Sequence, residues 1–193
     1  MIRGSPNICW AISRTVSFGP TESKKGSAMI GFFTNSFSQV AYVTNRFDEA
    51  IARFANDYGV TRWLEVRDMD MGLDADRRLR MDVGFAMAGG VQIELIAPSG
   101  GDDAIYRGAL SPDCEGLQIV HHHIAQRMAT LDDLDALRER ARANGLALPI
   151  NYHSPNGVHY FYVDTRETLG HYLEYVWFPP EYWEVMNARI PVN

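Results

Sequence analysis

The elements readable along this chain run through the same series twice, and that repetition constrains the fold more than any single motif. Phe37–Thr44 (F-S-Q-V-A-Y-V-T) is short, β-branched and aromatic, as strands are. Phe47, Ile51, Phe54 and Tyr58 then recur at helical spacing, with Asn45 as the expected N-cap and Gly59 at the C′ position. Thr61–Arg67 alternates as a strand and Asp68–Arg78 reads as a polar loop. Leu79–Ala88 and Val91–Ala97 are two further strands, joined at Gly89-Gly90, and Pro98–Gly101 closes the series. The second half repeats the order. A strand lies within Leu117–Met128, and a helix over Leu131–Ala143 is capped by Thr130 and ended by Gly145. Ala147–His153, Val158–Asp164 and His171–Trp177 supply three more strands, with a turn at Ser154–Gly157. Each half is strand, helix, strand, strand, strand. Both are short for separate domains, so they are expected to share one core.

Two segments flank the repeat. Residues 1–28 have no apolar period and hold Arg3, Arg14, Lys24 and Lys25 against one acid, Glu22. They read as a disordered or poorly ordered tail, without the apolar core of a secretory signal. Residues 179–193 form a C-terminal tail. Pro179-Pro180 is expected to break the last strand, and the aromatic run Tyr175–Trp183 to cover a core edge or a subunit interface rather than to stack on a ligand.

Charge and cysteine usage remove several function classes. Eighteen basic against 24 acidic residues give a net charge of −6. That balance argues against nucleic-acid and anionic-membrane partners, which need clustered Lys and Arg. Cys9 and Cys114 form neither a disulfide framework nor a thiolate zinc site. No apolar run reaches membrane-spanning length, so a soluble, cytoplasmic protein is expected. The acidic stretch Asp68–Asp76 lacks the frame of a calcium loop, and no Ser-His-Asp or Cys-His set is readable.

Two glutamates are the anomaly. Glu94 lies within V-Q-I-E-L-I and Glu174 within H-Y-L-E-Y-V, at equivalent places in the two halves, with no Lys or Arg beside either. A carboxylate within an apolar strand is costly unless its charge is compensated. By strand parity Val91, Ile93 and Leu95 turn to one face, while Gln92 and Glu94 turn to the other. In the fifth strand His121 and His123 share a face and His122 takes the opposite one. Superposing the halves also sets Gln39 against a histidine of the H-H-H run. Gln39, Glu94, Glu174 and one imidazole make a donor set for a single divalent ion, Zn, Co, Mn, Ni or Fe. An ion pair of the two glutamates with distant arginines is the alternative.

The segments Q-V-A-Y-V, V-Q-I-E-L-I-A-P, H-H-I-A, D-L-D-A-L and D-T-R-E-T-L-G-H-Y-L-E-Y-V resemble the vicinal oxygen chelate superfamily, which includes glyoxalase I, bleomycin-resistance proteins and extradiol dioxygenases. The resemblance is nearest to its methylmalonyl-CoA epimerase and glyoxalase-like branch. It implies an α+β fold in residues 36–178, with two βαβββ modules (36–101 and 115–178) forming one curved mixed sheet around a metal site. It selects His123, the residue before the Ile of H-I-A, so the implied ligands are Gln39, Glu94, His123 and Glu174. Gln39 stands where epimerases and dioxygenases carry histidine, which disfavours an Fe(II) dioxygenase. The implied activity is metal-dependent enolisation of a small carbonyl or acyl-thioester substrate, as in an epimerase, an isomerase or a glyoxalase-type lyase. Glu174 is the expected base, with Glu94 the other candidate. His121 and Gln92 are expected to stand behind the ligands or touch substrate, while His122, His153, His159 and His171 read as structural. The alternative on the same scaffold is a non-catalytic, resistance-type binding protein. A homodimer is expected, because such a sheet leaves open edges.

Overall fold

The structure, a computed structural model, describes residues 37–193, so the expected tail at residues 1–28 lies outside the described residues. The first half comprises β1 (Phe37–Thr44), α1 (Phe47–Tyr58), β2 (Leu64–Gly72), β3 (Arg78–Ala88) and β4 (Val91–Gly101). A single-turn helix, α2 (Ala104–Arg107), leads to β5 (Ile119–Arg127), α3 (Leu131–Ala143), β6 (Asn151–His153) and β7 (His159–Asp164). After the single turn α4 (Arg166–Leu169) come β8 (Tyr172–Trp177) and α5 (Pro180–Arg189).

All eight strands join one curved mixed sheet in the order β2-β3-β4-β1-β5-β8-β7-β6. β1 and β5 pair antiparallel at its centre, and each pairs parallel with the fourth strand of its own half, β4 or β8. The first and fourth strands of both halves therefore lie side by side in the middle of the sheet. Glu94, His123 and Glu174 lie on three of these strands.

The two long helices cover the convex side. Phe47, Ala50 and Phe54 of α1 are buried against Leu95 and Ala86, and Gly59 ends the helix at φ 72°, its N–H bonded to the Phe54 carbonyl. Leu134, Leu137 and Ala141 of α3 are buried against Phe161, Leu173 and Tyr175, and the Thr130 hydroxyl caps the helix by accepting from the Asp133 N–H. Burying each large apolar side chain contributes about 1.5–3 kcal/mol. The apolar stripes thus hold the helices to the sheet and leave its concave side for the site.

Two local expectations are corrected, and a third holds with an addition. The stretch read as a polar loop from Asp68 to Arg78 is mostly strand, and only residues 73–77 turn. Met69 and Met71 face inward while Asp68 and Asp70 face solvent, where Arg78 pairs with Asp70 at 2.9 Å. The alternation is that of a half-buried edge strand, its acids neutralised across the ladder. Asn45 is not the cap of α1; Arg46 occupies that position, while the Asn45 amide donates to the Gly116 carbonyl and accepts from the Gln118 N–H. The last strand does end at the proline pair, but Pro180 then opens a helix, as proline does well in a first turn.

Beyond α5 the chain returns to the first half. Val192 bridges to Met87, Ile190 is buried in the same apolar cluster as Leu79 and Met81, and Asn193 Oδ1 accepts from the Thr61 and Arg62 N–H groups at 2.8 Å. The C-terminal segment therefore links the end of β8 to the first half. Among the described residues no helix is long and apolar enough to cross a membrane.

Candidate functional site

Side-chain position at the centre depends on an irregularity in β5. Ala41 pairs with His123 but Tyr42 pairs with His121, so one step on β1 matches two residues on β5. His122 is the extra residue of a β-bulge, a device that re-aims side chains beside functional sites. The expected alternation of the three histidines fails for this reason. His122 and His123 are both buried, at 2% and 0% exposure, and their Nδ1 atoms lie 2.9 Å apart. His121 is turned out of the site, where its ring meets those of Tyr42 and His171.

His123 is the hub. Its Nε2 lies 3.2 Å from Glu94 Oε2 and 3.0 Å from Glu174 Oε2, so the glutamates meet an imidazole rather than distant arginines. Burial opposes charge on His123, but hydrogen bonds to Glu174 and Glu94 outweigh it and raise its pKa to about 9. Burial raises Glu94 above the usual carboxylate range, only partly offset by His123. For His122, burial and then the charge on His123 lower the pKa to about 3, so it is neutral.

Gln39 and Gln92 complete the polar floor. The Gln39 amide nitrogen donates to Gln92 Oε1 at 2.6 Å, and no hydrogen bond among the described residues engages Gln39 Oε1. The Tyr162 hydroxyl donates to Glu174 Oε2 at 3.2 Å and lies 3.2 Å from the Tyr106 hydroxyl. Burial pushes both phenols well above their ordinary values, so both remain O–H donors. Neither tyrosine was singled out from sequence. Tyr162 pairs directly with Glu174 across β7 and β8, a register that only the strand pairing reveals.

These groups open into a cavity of about 510 Å³, lined by Gln39, Gln92, Glu94, Tyr106, Tyr162 and Glu174 at its polar end. Phe85 and three methionines of β2 and β3 form one wall. Phe178, Tyr182, Trp183 and Met186 add a wall from the C-terminal segment, with Arg189 at its end. The aromatic tail, expected to cover only a core edge or interface, thus forms part of the cavity. His121 is not in the lining; nor are His153 and His159, which stack on each other.

Among the described residues no group of three or more His, Cys, Asp or Glu side chains is placed so as to hold a metal ion. The three that converge here are hydrogen-bonded to one another instead. Their donor chemistry nevertheless fits a divalent ion. Ligand atoms roughly 2.0–2.2 Å from one ion, at tetrahedral or octahedral angles, stand about 3–3.5 Å apart. The 3.0 and 3.2 Å separations around His123 Nε2 have that spacing. The two carboxylates and the imidazole are the residues whose chemistry would suit an ion in place of the proton on Nε2.

A half-barrel of two βαβββ units with its polar groups on the central strands defines a class, and the sequence agrees. The profile of the Glyoxalase/Bleomycin resistance protein/Dioxygenase superfamily matches residues 38–162, and the chain belongs to that superfamily. No curated protein matches the sequence. Among solved structures, a methylmalonyl-CoA epimerase variant from Streptomyces coelicolor in complex with 2-nitronate-propionyl-CoA is 14% identical, with a TM-score of 0.50 over 74% of this chain and 94% of that one. A hypothetical protein from Bacillus halodurans C-125 is also 14% identical, with a TM-score of 0.50 over 76% and 96%. A methylmalonyl-CoA epimerase from Mycobacterium tuberculosis is 20% identical, with a TM-score of 0.49 over 77% and 91%. At 14% identity the likeness to the first two is one of fold alone.

Proposed function

We propose that the protein is a divalent-metal-dependent enzyme that enolises a small carbonyl or acyl-thioester substrate, as an epimerase, an isomerase or a glyoxalase-type lyase does. One observation carries the reading: two carboxylates from equivalent strands converge on the same imidazole nitrogen at the floor of a cavity. Gln39, Glu94, His123 and Glu174 are the proposed ligands. A divalent ion bound there supplies positive charge to a substrate carbonyl oxygen, making the neighbouring α-proton acidic.

The chain's own residues supply the proton transfer. Glu174 Oε2 is engaged by His123 and Tyr162, while no hydrogen bond among the described residues engages Oε1. Glu174 Oε1 is therefore the oxygen to take the α-proton and return it. The Tyr162 O–H holds the carboxylate in place and remains protonated throughout. Glu94, made less acidic by burial, is the second group able to exchange a proton at this end of the cavity.

Two measurements test the reading. Protein purified without added metal should carry close to one divalent ion per chain by elemental analysis. The metal-loaded protein should exchange the α-proton of methylmalonyl-CoA or of simple 2-oxo acids in deuterated water. Absence of metal, with no thermal stabilisation by added Zn, Mn, Co or Ni, would sink the proposal. One metal per chain with no exchange across the panel favours a binding protein on this scaffold.

A further inference from the structure

We propose that His122 is a positioning residue whose Nδ1 accepts the Nδ1 proton of His123, so that His123 Nε2 is the atom presented to the Glu94 and Glu174 carboxylates, to hold a second proton or a metal ion. The inference rests on the reading above that His123 is a metal ligand. It deepens that reading by assigning the group that orients the ligand.

The argument starts at the end of a helix. In α2 the carbonyls of Ala104 and Tyr106 accept from the Gly108 and Ala109 N–H groups, and no backbone N–H among the described residues takes the Ile105 carbonyl. A carbonyl oxygen left over at a helix end must find another donor. His122 Nε2 meets it at 3.1 Å. Because the carbonyl only accepts, Nε2 carries the proton, and in a neutral ring Nδ1 is then an acceptor. That Nδ1 lies 2.9 Å from His123 Nδ1, which therefore donates to it. With the His123 proton committed to Nδ1, Nε2 is left facing the two carboxylates, to hold either a second proton or a metal ion.

The bulge and its packing keep the chain of bonds in register. The His122 ring packs against those of Tyr106 and Tyr172, at centroid distances of 4.7 and 4.9 Å, which restricts its rotation. Its ring meets that of His123 at 83°, which keeps the donor and acceptor rings from stacking. A regular strand would send His122 to the opposite face and leave His123 Nδ1 without this acceptor. Metal-ligating histidines commonly donate their other N–H to a carboxylate, a carbonyl or water. Here the acceptor is a second histidine, itself anchored to a backbone carbonyl.

The test uses the native chain and two variants. In metal-free protein labelled with nitrogen-15 histidine, NMR should find His122 protonated on Nε2. Scalar coupling across the hydrogen bond should link its Nδ1 to that of His123. His122→Phe keeps a ring against the tyrosines and removes the acceptor, and is expected to bind zinc 10- to 100-fold more weakly by calorimetry. His122→Asn, whose amide oxygen stands near the lost Nδ1, should recover most of that loss. Circular dichroism and melting of the metal-free variants check the fold. Should His122→Phe fail to fold, the coupling in the native protein decides. A His122 protonated on Nδ1, or zinc bound by folded His122→Phe as tightly as by the native protein, overturns the proposal. Native protein that does not bind zinc overturns the metal reading instead, and the metal-free spectrum still decides the relay.

Discussion

His123 Nε2 lies within hydrogen-bond reach of Glu94 Oε2 and Glu174 Oε2 at once, at 3.2 and 3.0 Å, although the three residues lie on strands far apart in sequence. The relationship makes the glutamates unequal in what their loss should do. Glu174 also accepts from Tyr162 and is the proposed base. Glu174→Gln keeps the shape and removes the charge. It should lower α-proton exchange about 10²–10⁴-fold, the usual worth of a positioned acid or base. Exchange at the parental rate would exclude Glu174. Glu94→Gln should act first on metal affinity, with a loss of at least about tenfold by zinc titration.

The same contact gives the metal-free protein a pH dependence. His123 titrates near 6.5 when unfolded and at about 9 in the fold. A raised value means that the folded state holds the proton more tightly. The stabilisation is therefore fully present below about pH 6.5 and lost as the pH rises through about 9. The Tm of the metal-free protein should fall by several degrees across that window. With zinc bound, the Nε2 proton is displaced and the fall should largely disappear. Calorimetric scans with and without zinc check both outcomes; a flat metal-free Tm would show that the imidazolium does not form.

Much of this was readable without coordinates, for physical reasons that differ by residue. Glu94 and Glu174 stood out because a charge within an apolar strand violates burial, and the helices because their stripes repeat at 3.6 residues. Thr130 was legible because a capping hydroxyl has a fixed place. Met69 and Met71 were hidden by the acids between them, whose partners Arg78 and Arg80 arrive only through strand pairing. His122 was assigned to the wrong face because a bulge is set by the register of two strands, not by one strand's alternation. The role of Tyr162 likewise required knowing that β7 lies against β8.

Gly72 offers a steric test of the cavity wall. A methyl group there would stand 2.3 Å from the Tyr152 ring, inside any real contact. Tyr152 also accepts from Arg78, which is paired with Asp70. Gly72→Ala must therefore push the ring aside and break its contact with Arg78. Overpacking of this kind typically costs about 1–3 kcal/mol. For a chain of this size that is a Tm loss of roughly 2–12 °C. Gly72→Ala combined with Tyr152→Ala should recover part of the loss, because the clash is with that ring.

The C-terminal segment should control ligand affinity through its anchor. Ile190 is 4% exposed and sits in the apolar cluster beneath the cavity, whereas Trp183 is half-buried on the cavity wall with the Arg127 guanidinium 4.3 Å from its ring. Ile190→Ala removes buried methylenes and should cost about 2–4 kcal/mol of stability. It should also loosen α5 and raise KM. Trp183→Ala forfeits a cation–π contact of about 0.5–1 kcal/mol and a ring contact with Phe178 on a half-buried side chain, so Tm should fall less than in Ile190→Ala. The same change removes a wall of the cavity and should raise KM severalfold. In neither variant should kcat fall in proportion, since neither residue reaches Glu94, His123 or Glu174. Melting curves and steady-state kinetics on both variants separate anchor from wall. An unchanged KM in Trp183→Ala would mean that the aromatic tail only covers the core, as its sequence first suggested.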